Sequence, residues 1–244
     1  MKRLYCDLHL KANTNDKKQT LGLVTKAAEL GYKLVATPFP PNCTQEQIKQ
    51  AHDTCKENDI DLATRVDLRP SSPNELMRDL RKLRRKFALI AVICSNKNAA
   101  RQAAKDHRVD LLNFPSVDHR NRFFDMAEAE LASNSSASLE IDTEPLLALE
   151  GPPRIRLLSC LRKETIIADS FNVPVIISSG TTRPELLRKP QDSTALAHLF
   201  DMDKQAALNA VSTNAVTLVK RNREKLSPDF VAPGIRIIRR AKDC

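Results

Sequence analysis

An aspartate and a histidine stand two residues apart near the start of the chain, in the segment Tyr5-Cys6-Asp7-Leu8-His9. Because side chains alternate along a β-strand, we expect Asp7 and His9 on the same face of a strand. A carboxylate and an imidazole so placed can begin a di- or trinuclear metal site, which needs further histidines at neighbouring strand ends. The chain supplies few of them, and the next position in the pattern is Lys11, whose charge repels a metal ion. We therefore interpret Asp7 and His9 as vestigial and predict no metal site.

Other polar side chains fall where predicted strands end: Thr37, Arg65, Asp67, Cys94, Ser95, Asn113, Glu140, Asp142, Ser178 and Ser179. They form no recognisable acid–base pair or triad, and no serine lies in a G-x-S-x-G turn. The hydroxyls and amides of residues 178–182 could hold a phosphate, although a strand end that breaks into a loop explains them too. We predict no catalytic residue.

Positive charge is the strongest chemical signal. Thirty-nine Lys and Arg against thirty Asp and Glu give a net charge of +9, which favours a polyanionic partner. The cations concentrate in residues 78–86, 105–122 and 220–225. With no Trp and two Tyr, the chain has few platforms on which a flexible single strand could stack. Phosphate contacts with a folded nucleic acid are favoured over a merely solvated basic surface.

These residues must be positioned by an alternation of short apolar runs and longer helical patterns. Strands are predicted at residues 4–10, 33–37, 60–68, 87–94, 109–114, 138–141 and 173–179. Helices are predicted at residues 17–31, 44–58, 72–86, 98–107, 123–133, 145–171 with a break at 151–153, 192–200, 203–212 and 214–223. The pattern indicates an α/β fold, a single TIM-like (β/α) barrel of about seven parallel strands and about ten helices. A doubly wound open sheet is the alternative.

One barrel domain over residues 1–225 is expected, followed by a basic C-terminal tail at 226–244. Only five glycines are present, and neither a P-loop nor a G-x-G-x-x-G motif occurs, which excludes the common nucleotide cradles. The six cysteines contain no C-x-x-C pair, and no apolar run approaches a membrane span. We expect a cytoplasmic protein without a membrane partner.

A series of motifs runs through the chain in a fixed order. They are Tyr5–His9, Ala28–Tyr32, Val109–Pro115, Leu139–Ile141, Val173–Gly180, Arg183–Leu186, Phe200–Met202, Ala210–Ala215 and Arg221–Arg223. Together they resemble the archaeal family of ribonuclease P protein component 3, the counterpart of the thirty-kilodalton eukaryotic subunit. The resemblance covers nearly the whole chain. It departs from the family where Thr181-Thr182 follows Gly180.

The resemblance implies a barrel related to polymerase-and-histidinol-phosphatase metalloenzymes whose metal-binding histidines are largely lost. It implies a protein subunit of ribonuclease P, which removes the 5′ leader of precursor tRNA with a catalytic RNA. The chain alone would be non-catalytic and hold no cofactor, while the RNA would use Mg²⁺. Implied partners are the catalytic RNA, precursor tRNA indirectly, and other protein subunits. A Pop-five-type small subunit is expected among them, in a dimer of heterodimers.

We predict that the RNA is bound by basic side chains of the three charged groups and of strand ends. The candidates are Arg65, Arg81, Arg84, Arg85, Lys105, Arg108, Arg120, Arg183, Arg221 and Arg223. The third and fourth helices are neighbours in a barrel, so their cations can form one stripe. The basic group at residues 220–225 can join this stripe only if the final helix crosses one end of the barrel. Two alternatives remain: a stand-alone metal-dependent phosphoesterase and a protein-interaction scaffold.

Overall fold

Seven parallel strands follow one another around the sheet in chain order in the computed structural model, which describes residues 3–232 and 235–237. The strands are β1 Cys6–Asp7, β2 Leu34–Pro38, β3 Asp61–Leu68, β4 Leu89–Ile93, β5 Leu111–Asn113, β6 Ser138–Asp142 and β7 Val175–Ser178. The helices are α1 Lys17–Glu29, α2 Gln45–Glu57, α3 Pro73–Leu83, α4 Lys97–Lys105, α5 Met126–Ser135, α6 Glu144–Ala148, α7 Gly151–Ser170, α8 Pro190–Ala197, α9 Lys204–Ala210 and α10 Thr213–Leu226.

The sheet curls until its first and last strands meet. The Gly180 N–H donates to the His9 carbonyl at 3.0 Å, and the Lys11 N–H donates to the Thr181 carbonyl at 3.1 Å. The predicted TIM-like barrel is therefore confirmed. A doubly wound sheet would reverse its strand order at a switch point, and this sheet does not.

Local signals place most helix starts correctly. Thr44 and Gln47 form the capping box that begins α2, and Ser72 caps α3 with Pro73 in its first turn. The break predicted at residues 151–153 is found just before it, since α6 ends at Ala148 and α7 begins at Gly151. The first strand is shorter than predicted, because the chain bends where the His9 N–H donates to the Asp7 carboxylate at 3.1 Å.

One apolar region lies inside the ring of strands, and a second lies outside it. Outside, the strands pack against the surrounding helices; inside, the lumen holds small and medium side chains, among them Cys6, Leu34, Ala63, Leu89, Leu111 and Ile176. Cys6, Val92, Cys94, Ile176 and Ile177, which lie in the apolar runs of their strands, are all buried. Ala215, Leu218 and Val219 of α10 join the inner group, so α10 closes the barrel at the N-terminal ends of the strands.

Helix α10 crosses that end of the barrel. This is the condition under which the basic residues at 220–225 can lie near those of α3 and α4. Asn222, which is buried, donates to the Ala88 carbonyl at 2.9 Å, and Arg223 binds the Asp61 carboxylate at 2.6 and 2.8 Å. After α10 the chain forms an antiparallel pair, β8 Phe230–Ala232 and β9 Ile235–Arg236. Most of the predicted tail beyond this pair lies outside the described residues.

Candidate functional site

The carboxyl ends of the strands gather many of the predicted polar residues in the mouth of the barrel. Register places Asn113 beside Glu140 and Asp142 beside Ser178 on adjacent strands. The side chains that meet there are His9, Arg65, Asp67, Asn113, Glu140, Asp142 and Ser178. Thr37, Cys94 and Ser95 do not join them; the Cys94 thiol contacts the Val92 carbonyl and packs among the outer apolar residues.

Arg65 is the centre of this cluster, and its side chain is 0% exposed. Its Nη1 and Nη2 donate to the two Glu140 oxygens at 2.6 and 2.7 Å. Its Nε donates to Asp67 at 2.6 Å, and Nη1 also reaches the Leu8 carbonyl at 2.6 Å. Arg65 was predicted to bind RNA, but in this structure its guanidinium is held by these internal partners and is not exposed at the surface.

Glu140 receives two further donors from the strands beside it. Asn113 Nδ2 donates to Glu140 Oε2 at 3.0 Å, and the Ser178 hydroxyl donates to Oε1 at 2.9 Å. The same Asn113 nitrogen lies 3.1 Å from an Asp142 oxygen. Both oxygens of this buried carboxylate therefore have hydrogen-bond donors, which offsets the cost of burying them.

His9 bridges two carboxylates with its two ring nitrogens. Nδ1 lies 2.8 Å from Asp142, and Nε2 lies 3.1 Å from Asp67. Burial and the charge of Arg65 oppose protonation, but Asp142 and Glu140 outweigh them and raise the pKa of His9 to about 9. The pKa of Asp67 is held well below its usual range, because Arg65 and His9 outweigh the effect of its burial. His9 is thus an imidazolium that donates to both carboxylates.

Asp7 takes a different role from His9. Its Oδ1 accepts the backbone N–H groups of Ser179 at 2.9 Å and His9 at 3.1 Å, which ties β1 to the end of β7. Burial raises the pKa of Asp7, and its Oδ2 has no hydrogen-bond partner within the described part of the chain. The two residues of the Asp-x-His pattern therefore do not share a ligand set.

His9, Glu140 and Asp142 bring one ligand atom each to within 4.8 Å of one another, which is close enough for the three to bind one metal ion. The surrounding donors do not suit a divalent cation. The Arg65 guanidinium and the Asn113 amide point N–H groups at the same oxygens, and Lys11 lies 3.8 Å from Asp142. Three carboxylates face three cationic side chains, so the cluster is electrically balanced without a metal.

The opposite end of the barrel carries basic residues from each of the three charged groups. Helices α3 and α4 end there, since each returns the chain to the start of the next parallel strand, and α10 crosses it. Arg84 and Arg221 both approach the buried Asp110, Arg221 at 3.8 Å. Partial burial and the charges of Arg221 and Arg84 lower the pKa of Lys225. Residues 78–86, 105–108 and 220–225 therefore meet at one end of the molecule, which we call the basic end.

The predicted RNA-binding side chains differ in how strongly the protein itself holds them. Arg84 binds Asp110 and three backbone carbonyls, Arg108 binds Asp106, Arg223 binds Asp61, and Arg221 also reaches the Ser136 carbonyl at 3.4 Å. Exposed side chains without a partner among the described residues are Arg81, Arg85, Lys105, Arg120 and Arg183. The first three lie at the basic end. Arg120 and Arg183 follow β5 and β7 and lie at the opposite end, so the candidates do not form one surface.

Asp110 is the residue that sequence reasoning missed. Its carboxylate accepts the Ile90 N–H at 2.8 Å and binds Arg84, so it anchors the basic end to the start of β4. The available signal was an acidic residue at the head of the apolar run 109–114, because a carboxylate that enters a buried strand needs internal donors.

The sequence matches the family described as RNase P subunit p30 over residues 4–227. The chain belongs to this family. Among relatives named ribonuclease P protein component 3, that of Methanosarcina barkeri is 28% identical over 74% of each chain. That of Methanothermobacter thermautotrophicus is 24% identical over 96% of this chain and 95% of its own.

Solved structures support the same fold. A chain of a cryo-EM structure of archaeal ribonuclease P with mature tRNA matches 98% of this chain and 100% of its own length, with a TM-score of 0.84 at 21% identity. A Xaa-Pro dipeptidase shares the fold with a TM-score of 0.54 at 9% identity, over 91% of this chain and 76% of its own. Within the described residues of this family member, no helix combines the length and apolarity needed to cross a membrane.

Proposed function

We propose that this chain is a protein subunit of ribonuclease P and supports the catalytic RNA that removes the 5′ leader of precursor tRNA. Membership of the p30 family over residues 4–227 carries the proposal. The relatives bear the name of a ribonuclease P component, and the matching cryo-EM structure is of archaeal ribonuclease P with mature tRNA. The finer expectations belong to the same proposal: a Pop-five-type partner, a dimer of heterodimers, and Mg²⁺ used by the RNA.

The basic end is the surface we assign to RNA phosphates. Arg81, Arg85 and Lys105 project from the ends of two neighbouring helices without internal partners. A cation that is free in the protein releases counterions from RNA on binding without first losing an ion pair. The held residues Arg84 and Arg223 shape the surface, because their guanidinium groups are fixed by Asp110 and Asp61.

The salt dependence of RNA binding tests this assignment. Arg81→Ala/Arg85→Ala removes two free cations from the basic end, and Arg120→Ala/Arg183→Ala removes two from the opposite end. We expect the first variant to lower the slope of log affinity against log salt by about two, since each phosphate contact contributes about one. The second variant should leave the slope unchanged, and both should keep the thermal midpoint because all four side chains are exposed.

Binding is measured with the catalytic RNA and the other protein subunits present, at several salt concentrations around ~150 mM. Equal slope changes in both double variants would contradict the basic end as the RNA surface. An unchanged slope in Arg81→Ala/Arg85→Ala would show that these residues only face solvent.

We further propose that the isolated chain performs no chemistry. The mouth of the barrel, where enzymes of this fold place their reacting groups, is filled by Arg65, His9 and their carboxylate partners. Each of these groups already donates or accepts within the cluster, which argues against the phosphoesterase alternative.

A further inference from the structure

An acidic groove runs along the outside of the barrel between the end of α7 and α9, over the start of β7. Its volume is about 650 Å³, and its lining includes Ile166, Asp169, Pro174, Asp201, Met202 and Asp203. No lysine or arginine lines it, although the chain carries 39 of them and a net charge of +9. The groove is therefore an acidic exception on a basic protein.

Asp169 gives the groove its unbalanced charge. Its exposed side chain has no hydrogen-bond or ion-pair partner in the described ranges, and it lies in the last turn of α7, which contains no basic residue. The carbonyl end of a helix is already negative, so an aspartate there is unfavourable unless a cation approaches from outside. Asp201 is in part compensated, because Arg162 lies 3.4 Å away.

Apolar side chains accompany this charge. Ile155 and Ile166 share one face of α7, three turns apart, and are 68% and 59% exposed; Leu199, beside Arg162, is 47% exposed. Ile166 itself lines the groove, and Leu199 lies near Asp201 because Arg162 contacts both residues. Exposed apolar side chains that cluster beside charges mark protein interfaces more often than nucleic-acid interfaces.

The position of the groove separates it from the RNA surface. Helices α7 and α9 flank β7, whereas α3 and α4 flank β4, on the other side of the seven-stranded ring. Asp169, which has no compensating cation among the described residues, repels a polyanion, so the charge favours a basic protein segment over RNA as the occupant. A segment that brings a cation to Asp169 and an apolar side chain to Ile166 satisfies both features of the surface.

We propose that the groove between α7 and α9 is the docking site for a basic segment of a partner protein, with a lysine or arginine at Asp169 and an apolar residue on Ile166. The inference rests on the proposed function, since the partner is another protein subunit of the same ribonucleoprotein. The molecule then has two faces, one basic for RNA and one acidic for protein.

The test uses the ribonucleoprotein purified through this chain, and it compares Asp169→Lys with Asp53→Lys. Asp53 is an exposed aspartate on α2, without a side-chain partner in the described structure, so the two variants change the charge equally. We expect Asp169→Lys to reduce the amount of one other protein subunit at least about tenfold, which is the low end for reversing one partner of a desolvated charge pair. Asp53→Lys should retain it, and both variants should retain the RNA-binding salt slope of the wild type.

The thermal midpoint of the isolated variant is the control for misfolding. A lysine in the last turn of α7 suits the helix dipole, so the thermal midpoint of Asp169→Lys alone should equal or exceed that of the wild type. As a second measurement, Ile166 is replaced by the photocrosslinker benzoylphenylalanine in the assembled complex. The expected product joins position 166 to a lysine- or arginine-containing peptide of the subunit lost in Asp169→Lys.

Three results would overturn the inference: full retention of every protein subunit by Asp169→Lys, equal losses in both variants, or crosslinks from position 166 to RNA or to a second copy of this chain. These results differ from a failure of the proposed function. In that case the wild-type complex itself would contain no catalytic RNA, whichever variant is used.

Discussion

At the scale of single residues, Arg65, His9 and Lys11 balance the carboxylates of Asp67, Glu140 and Asp142 in the barrel mouth. Each oxygen of these three carboxylates has a hydrogen-bond donor or a cation. Such a cluster is stable only as a whole, because removing one partner leaves its counter-charge buried and unpaired.

Arg65→Met tests this dependence. We expect the free energy of unfolding to fall by about 3–5 kcal/mol, because Glu140 and Asp67 lose their guanidinium partner inside the barrel. Urea denaturation measures the loss. Arg81→Ala, on the surface, should change stability by less than about 0.5 kcal/mol, and Arg65→Met/Glu140→Gln should recover part of the loss. Equal stabilities for Arg65→Met and the wild type would refute the account.

Because of His9, the free energy of unfolding is expected to fall as the pH rises. Its pKa is about 9 in the folded protein against 6.5 as the ordinary value, so the folded state holds the proton more tightly. The resulting stabilisation is fully present below pH ~6.5 and disappears as the pH rises to ~9; its full size is on the order of 3 kcal/mol.

Urea unfolding at a series of pH values from ~6 to ~9.5 measures how this stabilisation changes with pH. The difference between wild type and His9→Asn isolates the imidazole from the other groups that titrate. We expect that difference to shrink as the pH rises. A constant difference would mean that folding does not change the pKa of His9.

At the scale of elements, the end of β7 closes the barrel through Gly180. Its φ is +64°, and a Cβ built on it would lie 2.6 Å from the Cβ and Oδ2 of Asp142. Gly22, inside α1, has only Pro184 at 4.0 Å from the same position. The same substitution should therefore have opposite effects at the two sites.

Gly180→Ala is expected to destabilise the protein by about 2 kcal/mol or more, since a left-handed backbone and a steric overlap add up. Gly22→Ala should stabilise it by about 0.5–1 kcal/mol, because alanine is the better helix former. Thermal unfolding of both variants under one condition compares them. A stable Gly180→Ala protein would mean that the β7 loop can move away from Asp142.

At the scale of the whole molecule, charge is divided between a basic end, an acidic groove and a mouth that is balanced internally. We expect the isolated chain with Mg²⁺ or Mn²⁺ to cleave neither precursor tRNA nor phosphate monoesters, because Arg65, His9 and Asn113 already hold the carboxylates of Asp67, Glu140 and Asp142. EDTA should shift its thermal midpoint by less than about 2 °C. Metal-dependent turnover that His9→Ala abolishes would instead establish the phosphoesterase.

Much of the architecture could be predicted from the sequence because its causes are local. The capping box of Thr44 and Gln47, Pro73 after Ser72, and the all-apolar run of β4 depend on residues a few positions apart. Seven such strands alternating with helices leave few topologies, since parallel strands need right-handed crossovers. The order of motifs along the chain similarly identified the family that residues 4–227 match.

Only the tertiary structure decides whether a given charged side chain is buried and paired or exposed. Arg65 and Arg81 are the same residue type, yet one is sealed inside the barrel and the other is exposed. The partners of Arg65 include Glu140, 75 residues away, and those of His9 include Asp142, 133 residues away. Helical and strand periodicity reports which face a side chain takes, but the counter-charge that meets it comes from a distant strand. Whether a cation is free for RNA therefore depends on the closed barrel.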